Sequence, residues 1–332
     1  MVIIPGGVAS PIAETTVVAT VPRRFTLDTQ TEAWGYFCGC VLAFGAASSF
    51  AAARAGIISG LTPGDLVLMR FSVAGVVLMP LLFRWGLPTL AGIGWRRGLI
   101  LTVLGGPAFA LMQMGGYAFA PLAHGAVIHP ASVTILSTGI AAALLGERLS
   151  RVHLIGAGLV MGGIVLISWQ GLQVAAGARS WVGDLLFFTS AVLWAVFTVL
   201  IRHWQLPAVR AISVVSFLSL LVILPGYLGW YGLEHLRARP PLPMVMQAVM
   251  QGLMQGVVAL TAYSQAIGVL GVSRAVLFPA MVPAVSILVG IPIVGEVPNA
   301  TQITGLLLVS IGLMCAIGAF RWMAVSRKLW QH

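Results

Sequence analysis

Two stretches of the chain read almost alike: residues 129–147 are HPASVTILSTGIAAALLGE, and residues 278–296 are FPAMVPAVSILVGIPIVGE. Each has a proline near the start of an apolar run and ends with Gly-Glu. The match extends without a gap over 123–167 and 272–316, with two further glycines in register. Apolar segments match one another by chance at an appreciable rate, but prolines and glycines in register do so less readily. We interpret the chain as one unit written twice.

The composition indicates an integral membrane protein. Of the 332 residues, 59% are hydrophobic and 8% are charged, whereas soluble domains average about 25% charged residues. Apolar runs lie near 34–53, 65–83, 98–119, 124–145, 151–168, 183–201, 211–232, 244–267, 272–293 and 302–322. Each is long enough to cross a bilayer as a helix. The sequence therefore predicts an all-α membrane protein with ten transmembrane helices.

Five helices in each copy is an odd number, so the second copy must enter the membrane from the opposite side. This predicts two inverted five-helix repeats, at 34–168 and 183–322. Inverted repeats can open a midplane site to either side by similar motions, which suits alternating access. A duplication kept only for packing is the alternative. We expect 1–33 to be a disordered cytoplasmic tail, 169–182 a periplasmic linker and 323–332 a cytoplasmic tail.

The net charge of +10 is first of all a topology signal. With both ends on one face, thirteen Lys and Arg residues lie on or near that face, against four on the other, with Arg70 within a span. The positive-inside rule then predicts cytoplasmic termini. The arginines are scattered over short loops, which disfavours nucleic-acid binding. The expected partners are a small-molecule substrate and the lipid bilayer, with the protein a monomer or weak dimer.

The chain resembles the drug/metabolite transporter superfamily, in particular its ten-helix EamA-like type. The resemblance covers nearly all of the chain beyond residue 33. Its most specific parts are Pro130…Gly146-Glu147-Arg148-Leu149-Ser150…Gly156, its second copy Pro279…Gly295-Glu296…Gly305, Arg70, and Gly183-Asp184…Trp194-Ala195. The resemblance implies export or import of small metabolites, including amino acids, across a bacterial inner (plasma) membrane. The second copy departs from the pattern in ending Val297-Pro298-Asn299, without the basic residue and serine of the first.

Pro130 and Pro279 each remove a backbone hydrogen bond, so we expect kinks in the fourth and ninth helices. Such kinks are either hinges for gating or static bends that shape packing. The helix-turn motif that follows consists of Gly146, Glu147, Gly295 and Glu296. We expect the glycines to end their helices and the glutamates to serve the turns, with Ser150 and Asn299 as N-caps of the next helices.

Polar groups inside the spans are the candidates for a substrate cavity, because each would be costly in lipid. The predicted cavity residues are Arg70, Gln113, Tyr117, His129, Trp194, Gln251, Gln255 and Tyr263. Arg70 could hold a substrate carboxylate, or pair with Asp65 or a helix-end carbonyl group as scaffold. The glutamines could line a cavity for a neutral solute, or act as hydrogen-bonding glue between helices.

The sequence lacks HExxH, GxSxG and Walker motifs, and His124 and His129 do not have the spacing of a helical zinc pair. We therefore expect no catalytic residues, no metal and no cofactor. No Asp or Glu lies in the middle of a span, which gives little support to proton coupling. The predicted function is transport of amino acids, neutral or aromatic, or related metabolites, by an exporter or facilitator. The alternatives are a receptor or structural subunit, or a carrier of another solute such as a nucleotide-sugar or lipid.

Overall fold

The computed structural model describes residues 29–145, 150–173 and 179–316, and every regular element in these ranges is a helix. The α-helices are α1 (Thr29–Ile58), α2 (Pro63–Trp85), α3 (Trp95–Gly105), α4 (Pro107–Phe119), α5 (Leu122–Leu145), α6 (Arg151–Gln173), α7 (Ser180–His203), α8 (Ala208–Arg237), α9 (Pro241–Gln247), α10 (Ala259–Leu270), α11 (Val272–Ala275), α12 (Leu277–Val294) and α13 (Ala300–Ala316). A 3₁₀ turn at Leu87–Thr89 follows α2, and a π-helical segment at Ala248–Val258 joins α9 to α10.

Within these ranges, nine helical stretches are long and apolar enough to cross a membrane, and α13 is a shorter apolar helix. The predicted all-α membrane fold is confirmed. The predicted N-terminal tail lies outside the described residues except for 29–33, and the predicted C-terminal tail lies outside them entirely. The first Gly-Glu turn, with Gly146 and Glu147, lies outside them as well. At the predicted linker, α6 continues to Gln173 and α7 begins at Ser180, so helix occupies both ends of the range 169–182.

The packing of the helices repeats between the two halves of the chain. Helix α1 packs mainly against α12 and α10, while α7 packs mainly against α5 and α4. Helix α2 packs against α8, and α6 against α13. The sequence repeat makes α1 equivalent to α7, α4 to α10 and α5 to α12. With these equivalences, the contacts of α1 with α12 and α10 correspond to those of α7 with α5 and α4. The described helices therefore form the expected two-repeat architecture.

Glycines that the repeat places in equivalent positions bring α6 and α13 into backbone contact. A Cβ on Gly156 would lie 2.7 Å from the carbonyl oxygen of Gly312, and one on Gly163 would lie 2.7 Å from that of Gly305. Small residues allow such close approach between membrane helices. Gly158, on the same helix, faces open space. The repeated glycines thus serve helix contact.

The third span of each repeat is interrupted, which the apolar runs alone did not reveal. In the first repeat, Gly106 separates α3 from α4 in a non-helical conformation, with φ −97° and ψ −139°. A Cβ there would lie 2.2 Å from the carbonyl oxygen of Thr102, and Pro107 begins the next helix. In the second repeat the chain stays helical, but the α-helical pattern is interrupted by the π-helical segment Ala248–Val258.

The two repeated prolines have different local effects. Pro130 lies inside α5, which continues through it. Pro279 is the third residue of α12, where a helical N–H has no partner within the helix. Inside a continuous helix, a proline ring clashes with the carbonyl group of the residue four positions earlier. For Pro279 that residue is Ala275, and the short α11 ends there. The ninth span is therefore broken just before Pro279, where the missing hydrogen bond to Ala275 falls. A hinge role for this position stays a prediction.

Candidate functional site

A small central cavity lies between the two repeats. It is lined by α2 and α3 of the first repeat, and by α7, α8, the π-helical segment and α10 of the second. Its lining includes Arg70, Gly105, Trp194, Phe197, Ser216 and Gly256. The cavity measures about 20 Å³, which is room for about one water molecule. The cavity as described is therefore too small to hold an amino acid.

Arg70 contributes the positive charge of the central cavity. Its residue surface is 7% exposed, and its guanidinium carbon lies 5.9 Å from the ring centre of Phe71 and 5.6 Å from that of Phe109. Among the described residues it forms no hydrogen bond or ion pair. A buried guanidinium gains from aromatic faces, but these do not neutralise its charge. Arg70 is thus a cation with unsatisfied donors facing a cavity.

Asp65 does not pair with Arg70, so that form of the scaffold alternative is wrong. The Asp65 carboxylate is fully buried and accepts from the backbone N–H of Thr62 at 2.7 Å and from the hydroxyl of Tyr227. Arg239 lies 3.5 Å from the same carboxylate. These contacts join the start of α2 to the end of α8. Asp65 is therefore already committed to a structural cluster.

Aromatic rings surround the Arg70 side of the cavity. Phe109 stacks on Trp194 with ring centres 4.7 Å apart, and Trp194 packs on Phe197 at the same distance. His129 lies 5.7 Å from Phe109, and its Nδ1 is 2.9 Å from the hydroxyl of Ser190. Arg70, His129 and Trp194 therefore meet around one ring. Sequence reasoning missed Phe109 and Phe197, although the Gly105-Gly106-Pro107 interruption marks their neighbourhood.

The glutamine stripe faces α1 instead of the central cavity. The side-chain amide of Gln251 donates to the carbonyl oxygen of Ser49 at 2.6 Å, and that of Gln247 donates to Ala52 at 2.7 Å. These two residues act as glue between helices, which was the alternative to a cavity role. Gln255 does not line the central cavity, and its Oε1 is buried without a partner in the described ranges.

Gln113 and Tyr117 are buried on α4, outside the lining of the central cavity. Tyr117 packs against Phe187 with ring centres 4.9 Å apart, and its hydroxyl has no partner among the described residues. Tyr263 lies elsewhere, in the lining of a second cavity of about 40 Å³. The predicted set is therefore divided between several environments.

The second cavity adjoins the first. Both are lined by Ile212, Gly256 and Leu260. The second cavity also reaches Ala208, the first residue of α8, and Leu78 near the end of α2. Both positions lie toward the face on which α1 begins, which we call the terminal face. The two cavities together mark a path from Arg70 toward that face.

Charged groups join the repeats at the opposite face. Arg54 donates through Nε to Glu296 at 2.6 Å and through Nη1 to the carbonyl oxygen of Tyr117 at 2.6 Å. The other oxygen of Glu296 accepts from the N–H of Leu122, the first residue of α5, at 2.7 Å. We call these four residues the Arg54–Glu296 bridge. Glu296 was expected to serve its own turn; in the structure it bonds to α1 and to the start of α5.

The turn that carries Glu296 is stabilised by its neighbours. Gly295 ends α12 in the left-handed region, at φ +75°, which favours glycine. Asn299 and Gln302 form reciprocal hydrogen bonds of 3.0 and 3.1 Å between side chain and backbone, so Asn299 caps α13 as predicted. Glu296 is therefore free to make contacts across the repeats.

Inverted repeats with a cavity between them are typical of small-solute membrane transporters. The chain belongs to the EamA-like transporter family, whose model matches residues 33–169 and again residues 181–318. The predicted family resemblance is confirmed. The chain is 23% identical over 271 residues to the uncharacterized transporter YyaM of Bacillus subtilis (strain 168), covering 78% of this chain and 86% of that one. A solved crystal structure with 20% identity has a TM-score of 0.55, covering 86% of this chain and 98% of its own, and supports the fold alone.

Proposed function

We propose that this protein moves small carboxylate-bearing metabolites across the inner (plasma) membrane by alternating access, as an exporter or facilitator. Amino acids with neutral or aromatic side chains are the class that the sequence resemblance implies. We place both termini in the cytoplasm, because the positive charges concentrate on that face, and we expect a monomer or weak dimer. Arg70 in the central cavity carries the proposal.

A buried guanidinium without an acidic partner requires a source of negative charge to offset its desolvation. Arg70 is such a group among the described residues, and it opens onto a cavity lined by both repeats. A substrate carboxylate would supply the charge in the bidentate geometry that guanidinium favours. Trp194 and Phe197 offer flat apolar surface to the rest of the substrate.

The interrupted helices support a binding site at the same place. Discontinuous spans in corresponding positions of two repeats commonly flank the substrate site of inverted-repeat transporters. Here Gly105 lies at the end of α3, and Gly256 lies in the π-helical segment of the other repeat. Both glycines line the central cavity. Beside Arg70 the first repeat thus has a broken span, and the second repeat has a π-helical one.

The bridge and the second cavity support alternating access. The Arg54–Glu296 bridge joins the repeats at the opposite face, while the second cavity extends from the first toward the terminal face. Two repeats that are bonded together at one face, with a cavity extending toward the other, correspond to one end state of an alternating-access cycle. Widening of the central cavity would then accompany substrate binding.

The test is flux of radiolabelled amino acids into liposomes that contain the purified protein, with and without a pH gradient. We expect flux in the wild type, and a loss of at least tenfold in Arg70→Gln. The matched control is Arg84→Gln, which removes an exposed arginine from the last turn of the same helix. If no amino acid moves while the protein is folded and monodisperse, the substrate class is wrong, and a non-transport role or a carrier of another solute takes its place.

A further inference from the structure

We propose that the central cavity selects organic monoanions with an apolar or aromatic body over zwitterions of the same shape. The inference rests on the proposed function and concerns the charge of its substrate. It follows from a comparison of the charges that line the cavity with those that are paired elsewhere.

The acidic side chains in the described ranges are occupied or distant. Asp65 belongs to the cluster with Tyr227, Asp184 lies 2.7 Å from Nδ1 of His124, and Glu296 belongs to the bridge. Glu32 lies 3.2 Å from Arg274, and Glu234 is exposed. None of them lines the central cavity or the second cavity. The described lining therefore carries one full charge, that of Arg70.

The start of α4 lies close to Arg70, next to the end of α3. Helix α4 begins at Pro107, two residues after the cavity-lining Gly105, and has thirteen residues. Its first turn holds no acidic residue, and no side chain caps its free N–H groups. The ring of Phe109, its third residue, lies 5.6 Å from the guanidinium carbon of Arg70. Helix N-termini attract anions, but the carbonyl groups at the end of α3 lie beside this one, so the full charge of Arg70 sets the preference of the cavity for negative charge.

A zwitterion would bring a second full positive charge beside Arg70. Its ammonium group would find only partial negative charge: the hydroxyl of Ser216, which lines the cavity, and backbone carbonyls where α3 ends. A monoanion of the same shape neutralises Arg70 and adds no cation. Uncompensated charge is costly where water is scarce. The site therefore matches the deaminated acid better than the amino acid.

Binding to the full chain in lipid nanodiscs, measured by isothermal titration calorimetry at about pH 6, where amino groups are protonated and carboxyl groups ionised, tests the inference. The probes share a phenyl group and a three-carbon chain: 3-phenylpropionate carries one negative charge, L-phenylalanine is a zwitterion, and phenylalaninamide carries one positive charge. We expect 3-phenylpropionate to bind at least tenfold more tightly than phenylalanine, equivalent to about 1.4 kcal/mol. Phenylalaninamide should bind more weakly than both.

The variants identify the source of the preference. In Arg70→Gln the advantage of 3-phenylpropionate over phenylalanine should disappear, whereas Arg70→Lys should retain part of it and Arg84→Gln all of it. If the wild type binds phenylalanine as tightly as 3-phenylpropionate, the carbonyl groups of α3 accept the ammonium and the inference is wrong, although the transport proposal stands. An unchanged preference in Arg70→Gln overturns it as well. If none of the probes binds to folded protein, both proposals fail for this substrate class.

Discussion

The Arg54–Glu296 bridge yields the sharpest prediction for the conformational cycle. Glu296→Gln keeps the shape of the side chain and one acceptor oxygen but removes its charge. The carboxylate accepts two short hydrogen bonds, at 2.6 Å from Arg54 and 2.7 Å from the N–H of Leu122. If the bridge holds the repeats together at the opposite face, loss of this charge should raise the population open at that face.

The burial of the pair sets the magnitude. The side chains of Arg54 and Glu296 are 20% and 26% exposed, so the pair is neither fully screened nor fully desolvated. Hydrogen bonds to charged groups contribute about 1.5–3 kcal/mol when buried, and exposed pairs contribute less than about 1 kcal/mol. We therefore expect a change of about 1.4 kcal/mol, which is about tenfold in the equilibrium between closed and open forms.

Thiol accessibility measures this shift. After Cys38, Cys40 and Cys315 are replaced by serine, a single cysteine is placed at Ala126, which is fully buried one turn into α5 from the bridge. The reporter is labelled with a membrane-impermeant maleimide from the opposite face. Labelling should be about tenfold faster in Glu296→Gln than in its parent.

The matched control removes a similar ion pair from the other end of α1. Glu32→Gln breaks the 3.2 Å contact with Arg274 on the terminal face, and should leave labelling at Ala126→Cys unchanged from the opposite face. If Glu296→Gln labels no faster than its parent while both elute as folded monodisperse protein, the bridge does not hold that face closed. Equal acceleration in Glu32→Gln would point to general loosening instead.

Three further predictions concern stability and are checked by thermal unfolding in detergent. Gln251→Leu should lower the free energy of unfolding by about 1 kcal/mol, because it removes a buried hydrogen bond to α1. Substrate affinity should stay unchanged, and a loss of affinity would show that Gln251 contacts the substrate. Gly156→Leu should severely destabilise the α6–α13 contact, because a Cβ at this position would lie within 3 Å of backbone atoms of α13. Gly158→Leu should be tolerated, because a Cβ there meets no atom within 4 Å. Equal effects of the two substitutions would refute the backbone contact. Asp65→Asn should cost about 3 kcal/mol, because it breaks a buried charged cluster, while Glu234→Gln, at an exposed position, should be neutral.

The repeated prolines and glycines made the fold predictable because each constrains the backbone or the helix packing, and they recur in register within an otherwise uniform apolar sequence. Gly156 and Gly305 occupy the same position in the two copies of the repeat, and each packs against a glycine of the other copy, Gly312 and Gly163 respectively. The helix count was read from the apolar runs, and the family resemblance rests largely on the repeated motifs. Fold class and family were therefore readable from the sequence.

The surroundings of the candidate site were less predictable, for two physical reasons. An aromatic residue in an apolar span looks the same whether it faces lipid, a core or a cavity, so Phe109 and Phe197 carried no signal. Contacts across the repeats join positions far apart in the chain: Arg54 and Glu296 are separated by 242 residues. The glutamine stripe was misleading because neutral amides suit both a cavity and a helix interface.

The two repeats share their scaffold but not the charge of the cavity. Glycines at matched positions form the α6–α13 contact from both copies. Arg70, by contrast, lies on α2, and its counterpart helix α8 carries no Lys or Arg between Arg210 and Arg237. Symmetric elements therefore suit the conformational exchange and the asymmetric ones suit substrate recognition. It follows that Glu296→Gln should change the labelling of Ala126→Cys without altering the preference for a monoanion. Arg70→Gln should abolish that preference and leave the labelling unchanged.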